Sequence, residues 1–285
     1  MVARAVLDSA SAARRNNELN MPELIHTITA ETCAEAWVAG VEYLLAQPSR
    51  EAYNLSLAIK SPLTMTANDF RVHDLVDEFL RVHEQEPIAT VAGTIFPANY
   101  YMREGAAGVY ESFPEAYAKL DKHSWGIYAM RMLRRTGKNG STINPLETLI
   151  DKMKKHMSKM RSAYEANLTE ADDDGFELPI YRPKEDASRL RPQPCLSHLT
   201  FKLYPGDALM LAVMYRSHYY VAKTLGNLFG LAQLQAFVAN ETSLNVGPLI
   251  CHSTHARVDT GSGSSLKDVK KLISDCRGAL VPTVA

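Results

Sequence analysis

Cysteine is scarce in this sequence: four in 285 residues, at Cys33, Cys195, Cys251 and Cys276. None is spaced as CxxC, which excludes a dense disulfide framework and points to a reducing, cytoplasmic compartment. Long apolar runs are missing too. Nothing reaches the about 18 residues that a membrane helix needs, so no membrane role is expected. Charge of one sign is absent: the formal net charge is −1, which excludes the basic excess of a nucleic-acid binder. The first 20 residues lack the apolar stretch of a secretory signal. They read as a flexible arm (1–20), with residues 21–285 as a single domain.

What is present is a core-forming chain, 46% hydrophobic, with helical and strand patterns interspersed. Thr32 is placed to cap a helix to Ala46, with Ala34, Trp37, Val41 and Leu44 near one face. Tyr53 to Ile59 reads as a strand. Asn68 is expected to cap a helix bearing Val72, Leu75, Val76, Phe79 and Leu80. Asn144-Pro145 opens a basic amphipathic helix. Residues 165–194, with Glu170, Asp172, Asp173 and Asp174, read as a charged surface excursion. Alternation on both sides of Pro205-Gly206-Asp207 predicts two strands joined by a tight turn. A helix from Val221 to Ala239, a strand from Leu249 to Val258 and a helix capped by Ser265 follow. No regular βαβ rhythm is present, so the class is α+β. Alternation puts Cys251 and His255 on one strand face and His252 on the other; two ligands do not make a metal site, and none is expected.

Chemistry-bearing residues collect between Pro194 and Arg257. The segment PCLSHLTFKLYPGDALMLAVMYRSHYYVAKTLGN opens on Pro194-Cys195 and reaches Arg216-Ser217. Asn227 follows Arg216 by eleven residues, and Thr254-His255 lies on a later strand. This order resembles the core of the thymidylate synthase and pyrimidine nucleotide hydroxymethylase superfamily. SWGIYAMRM and NPLETLIDKMKKHMSKMR fit its rhythm, and the correspondence runs from about residue 124 onward. The resemblance implies a mixed twisted sheet packed with helices, dimerising sheet to sheet.

It also implies roles. Cys195 would add to C6 of a uracil nucleotide, turning C5 into a carbon nucleophile. Arg216 would lower the thiol pKa and bind phosphate with Ser217. Lys159 and Arg161 would reach the phosphate from a partner subunit, giving a homodimer with shared sites. Arg50 would match an arginine on a phosphate loop. Asn227 would read the pyrimidine edge, favouring uracil. His255 would touch the sugar, with Arg257 adding a second positive charge there, and Tyr128 would line the site. The implied reaction is transfer of a one-carbon unit to C5, methyl or hydroxymethyl, from 5,10-methylenetetrahydrofolate to a pyrimidine nucleoside monophosphate.

The sequence also departs from the family. No carboxylate stands in TIFPANYY (residues 94–101), where the family has a Glu; Glu86 and Glu104 are the nearest. Tyr219 replaces the Asp that holds the pterin, and Lys223 replaces a Gly beside the folate. The alternative is therefore a divergent member that binds a nucleotide-like ligand, or uses Cys195 without folate.

Overall fold

The computed structural model describes residues 24–120, 126–136, 140–156, 177–180, 194–260 and 263–281. The proposed arm (1–20), the acidic cluster at 170–174, and Lys159 and Arg161 lie outside the described residues.

Mixed pairing defines one large sheet in the order β1-β2-β9-β7-β6-β5, with β8 also on β9. The strands are β1 (His26–Ala30), β2 (Glu51–Ile59), β5 (Glu177–Pro179), β6 (Leu196–Tyr204), β7 (Ala208–Tyr215), β8 (His218–Tyr219) and β9 (Asn245–Arg257). A separate short pair joins β3 (Arg135–Thr136) to β4 (Thr142–Ile143). β1 runs parallel to β2 and β7 parallel to β9, while β2–β9, β6–β7 and β5–β6 are antiparallel. The chain is thus α+β, as the element pattern predicts, and its sheet is mixed.

Period-two burial sorts the two sheet faces. Leu55, Leu57 and Ile59 of β2 pair with Ser253, Cys251 and Leu249 of β9, and all are buried. Leu211, Val213 and Tyr215 of β7 continue that face. It packs against α1 (Cys33–Ala46) and the apolar helix α8 (Leu225–Glu241). The opposite face holds Ser56, Ala58, Ala212, Met214, Ile250 and His252, none of which is buried.

Two caps anticipated from sequence are in place. Thr32 accepts from the N–H of Glu35, and Ser265 forms a reciprocal capping box with Asp268 at α9 (Leu266–Leu280). Each such cap is worth about 1 kcal/mol. The cap of α2 (Ala67–Val82) is instead Thr66, which exchanges hydrogen bonds with Asp69. Asp69 is buried and also receives the Thr32 hydroxyl at 2.5 Å, so the two helix starts share one carboxylate. That tertiary bond favours Thr66 over Asn68.

Residues 87–118 form short helices: α3 (Ile88–Gly93), α4 (Ala98–Ala107) and α5 (Phe113–Ala118). α6 (Tyr128–Leu133) and α7 (Pro145–His156) follow. α8 approaches α3 at two glycines. A Cβ on Gly226 would sit 2.6 Å from the Val91 Cβ, and one on Gly230 would sit 2.7 Å from the Ala92 carbonyl oxygen. The predicted helix from Val221 begins instead with a π turn at Tyr220–Thr224, and α8 proper starts at Leu225. Among the described residues, no helix is long and apolar enough to cross a membrane.

Candidate functional site

The sheet register places the sequence-predicted residues at one end of neighbouring strands. Leu196 pairs with Tyr215, Tyr215 with Ser253, and Glu51 with Arg257. β7 and β8 lie along β9 with the same offset, since Tyr215 opposes Ser253 and His218 opposes Ala256. Between β7 and β8 the ladder opens at Arg216 and Ser217. Thr254 holds this gap by donating its hydroxyl to the carbonyls of Arg216 (3.1 Å) and Tyr215 (3.3 Å).

Cys195 sits immediately before β6, half-buried. Its carbonyl accepts from the Arg216 N–H at 2.9 Å, so the two residues face each other across the strands. Its own N–H donates to the Tyr128 hydroxyl at 3.2 Å, and the N–H of Leu196 donates to the same oxygen at 3.4 Å. Tyr128 therefore fixes the start of β6 from α6. Burial raises its phenol to about 12, so it stays protonated at neutral pH.

Electrostatics around the thiol oppose one another. Burial pushes Cys195 up from the usual thiol value, while the guanidinium groups of Arg216 and Arg257 pull it down. Burial wins, so the expected lowering by Arg216 is present but incomplete. The reason is desolvation, which disfavours the thiolate more than the two cations favour it. The other three cysteines are buried and more strongly raised, Cys33 and Cys276 to about 12.

Arg257 leans over the Tyr219 ring, with its guanidinium carbon 4.3 Å from the ring centre and a bond to the hydroxyl. Its Nε is buried without a partner among the described residues. His255, two residues back on the same strand, donates from Nε2 to the Glu51 carboxylate at 3.1 Å and stacks on Tyr53 at 5.1 Å. Arg50, exposed at the start of β2, accepts the Val258 N–H through its carbonyl and thus borders the same end of β9. Ser217 and Lys223 are half-buried beside these residues in sequence.

Asn227 is buried on the first turn of α8, and its amide nitrogen contacts His218 Nε2 at 3.0 Å. His218 stacks on Tyr215 with ring centres 3.9 Å apart. The Tyr215 hydroxyl is itself buried without a partner among the described residues, and burial first, with Tyr128, Cys251 and Cys195 nearby, holds its phenol well above the usual value. So Cys195, Tyr128, Arg216 and Arg257 form one group, Asn227 joins it through Tyr215 and His218, and His255 flanks it beside Glu51.

Sequence reasoning missed Glu51, Tyr215, His218 and Asp259. Asp259 accepts from the Val221 and Ala222 N–H groups at 2.8 and 3.1 Å, fastening the π turn to the end of β9. Glu51 and His255 are 204 residues apart, and only strand pairing unites them. Glu86 and Glu104, the carboxylates nearest residues 94–101, are exposed, and Glu104 accepts from Ser112 at 2.5 Å. Among the described residues, no group of three His, Cys, Asp or Glu side chains is arranged to hold a metal.

A scan against protein-family models finds no match to this chain, and a search of curated proteins finds none.

Proposed function

We propose that this chain is a thymidylate synthase-like enzyme that transfers a one-carbon unit to C5 of a uracil nucleotide through Cys195. The supporting observation is the convergence of Cys195, Tyr128, Arg216 and Arg257, which surrounds a half-buried thiol with two guanidinium groups. The thiol loses its proton to solvent, and its sulfur bonds to C6. The C5–C6 electron pair shifts toward O4, leaving C5 nucleophilic. After C5 gains the carbon unit and loses its proton, the carrier amine leaves; the exocyclic methylene takes a hydride, which the reduced folate would donate, to give methyl, or water to give hydroxymethyl, while the C6–S bond breaks and the thiolate regains a proton. Arg216 offsets part of the thiolate's burial cost and, with Ser217, binds the nucleotide phosphate. Asn227 presents its amide to the base, and His255 and Arg257 border the sugar.

Methylenetetrahydrofolate would supply the carbon at the electrophilic, methylene oxidation level. Tyr219 would offer it a ring for the pterin, and Lys223 a cation for the carboxylates of the glutamyl tail, in place of the carboxylate and glycine of the resembled family. The homodimer forms through the sheet face that carries Met214, Ile250 and His252. Lys159 and Arg161 would complete the phosphate site of the partner subunit in that assembly.

One observation favours a second reading, in which folate is not used. Position 219 has no carboxylate for the pterin edge, and the Tyr219 hydroxyl already bonds Arg257. Incubation with 5-tritiated deoxyuridine or uridine monophosphate separates the readings. Folate-dependent tritium release that disappears in Cys195→Ala supports the transfer reaction. Release without folate supports ring activation by the thiol alone. Absence of both release and nucleotide binding excludes both.

A further inference from the structure

A buried chain of polar groups runs away from Asn227. The Asn227 amide nitrogen lies 3.0 Å from His218 Nε2, His218 Nδ1 lies 3.0 Å from Ser253 Oγ, and Ser253 Oγ lies 3.4 Å from the Tyr220 hydroxyl. All four residues are buried, His218 at 1% exposure and Asn227 at 5%. Burial lowers the imidazole to about 3, so His218 is neutral and has one ring proton to place.

The chain has a direction. An amide nitrogen only donates, so Nε2 must accept from Asn227. The ring proton then sits on Nδ1 and donates to Ser253 Oγ, which can pass its own proton on toward Tyr220. Asn227 has no other side-chain partner among the described residues, leaving its oxygen and second N–H uncommitted.

That direction matters for base choice. Rotating the amide by half a turn exchanges its oxygen and nitrogen. One orientation complements the N3–H and O4 of uracil; the other complements N3 and the N4 amino group of cytosine. The rotated amide would aim its oxygen at Nε2, which has no proton in the observed arrangement. The bond would be lost unless His218 changed tautomer, and Nδ1 would then need a proton from Ser253.

We propose that His218 is a specificity-determining residue: through its Nδ1–H tautomer, held by Ser253, it locks the Asn227 amide in the orientation that accepts uracil and rejects cytosine. The inference rests on the proposed nucleotide site and assigns its base selectivity to a residue that does not touch the base. It agrees with the geometry beneath the ring, where the Tyr215 stack holds the imidazole flat and Ser253 holds its edge.

The test compares binding of deoxyuridine and deoxycytidine monophosphates by calorimetry. Wild type should favour the uracil nucleotide by about tenfold or more, the ratio that a buried hydrogen bond worth 1.4 kcal/mol sets. His218→Phe keeps a ring on Tyr215 but cannot accept from Asn227, and its preference should fall to near parity. Ser253→Ala frees the ring proton to move to Nε2, and the preference should weaken or invert. Nitrogen-15 NMR of the wild type reads the tautomer without any variant: a proton on Nδ1 supports the lock, and a proton on Nε2 overturns it. If wild type discriminates and both folded variants discriminate equally well, this inference alone falls. If wild type binds neither nucleotide, the proposed function falls and the inference with it.

Discussion

Tyr128→Phe removes one oxygen and leaves the ring in place. That oxygen accepts two backbone N–H groups, from Cys195 at 3.2 Å and Leu196 at 3.4 Å. Leu196 is fully buried, so water cannot replace the lost acceptor there, and an unsatisfied buried donor costs about 1–3 kcal/mol. Cys195 is half-buried, so solvent can recover part of its bond. The sum is about 2 kcal/mol, or about 3 °C in Tm for a chain of this size. Packing should be unchanged, because the ring retains its place in the core. Urea denaturation measures the loss, with m unchanged as the sign of an intact native state. A shift within about 0.5 kcal/mol of wild type, the range of ordinary surface changes, would refute the anchoring role of Tyr128.

Three further outcomes test the rest of the account. Under native conditions, iodoacetamide should label Cys195 first among the described cysteines, because Cys33, Cys251 and Cys276 are buried and held further up as thiols. The Cys195 rate should climb as pH rises past the usual thiol value, since burial raises its pKa, and Arg216→Gln should move that profile to still higher pH; mass spectrometry of the labelled peptide reads both. Gly230→Ala should destabilise by about 1–3 kcal/mol through overpacking, because its Cβ would meet the Ala92 carbonyl oxygen at 2.7 Å, as thermal denaturation will show. Met214→Glu should convert the proposed dimer to a monomer in sedimentation velocity by placing like charges across the open sheet face, while a dimer that persists would refute that interface.

Local signals were the legible part of this fold. Thr32 and Ser265 announce their helices because a cap depends on residues three positions away. The turn after Tyr204 was visible because Gly206 and Asp207 both adopt positive φ, which their types tolerate. β1 was not anticipated: five residues of an edge strand hold too little alternation to stand out, and its pairing with β2 is long-range. The π turn was hidden for a similar reason, as Asp259 stabilises it from another element.

The candidate site divides along the same line. Cys195, Arg216 and Asn227 stand out through order and spacing within one stretch. His218 does not, since a histidine beside Arg-Ser gives no sign that it stacks inward on Tyr215. Regular alternation would send residues three apart to opposite faces, and only the opened ladder at Arg216 and Ser217 lets both turn inward. Glu51 likewise gains its meaning from the antiparallel register that sets β2 against His255 and Arg257.

The central claim is that the Cys195 sulfur bonds to C6 of a uracil nucleotide. It is tested most directly with 5-fluorodeoxyuridine monophosphate, offered with and without methylenetetrahydrofolate. Once C5 has gained the carbon unit, fluorine cannot leave as a cation, so the cycle stops with the sulfur still attached. The account predicts a nucleotide mass added to the peptide that contains Cys195, absent in Cys195→Ala. A protein that binds the nucleotide yet leaves Cys195 unmodified under both conditions would contradict it.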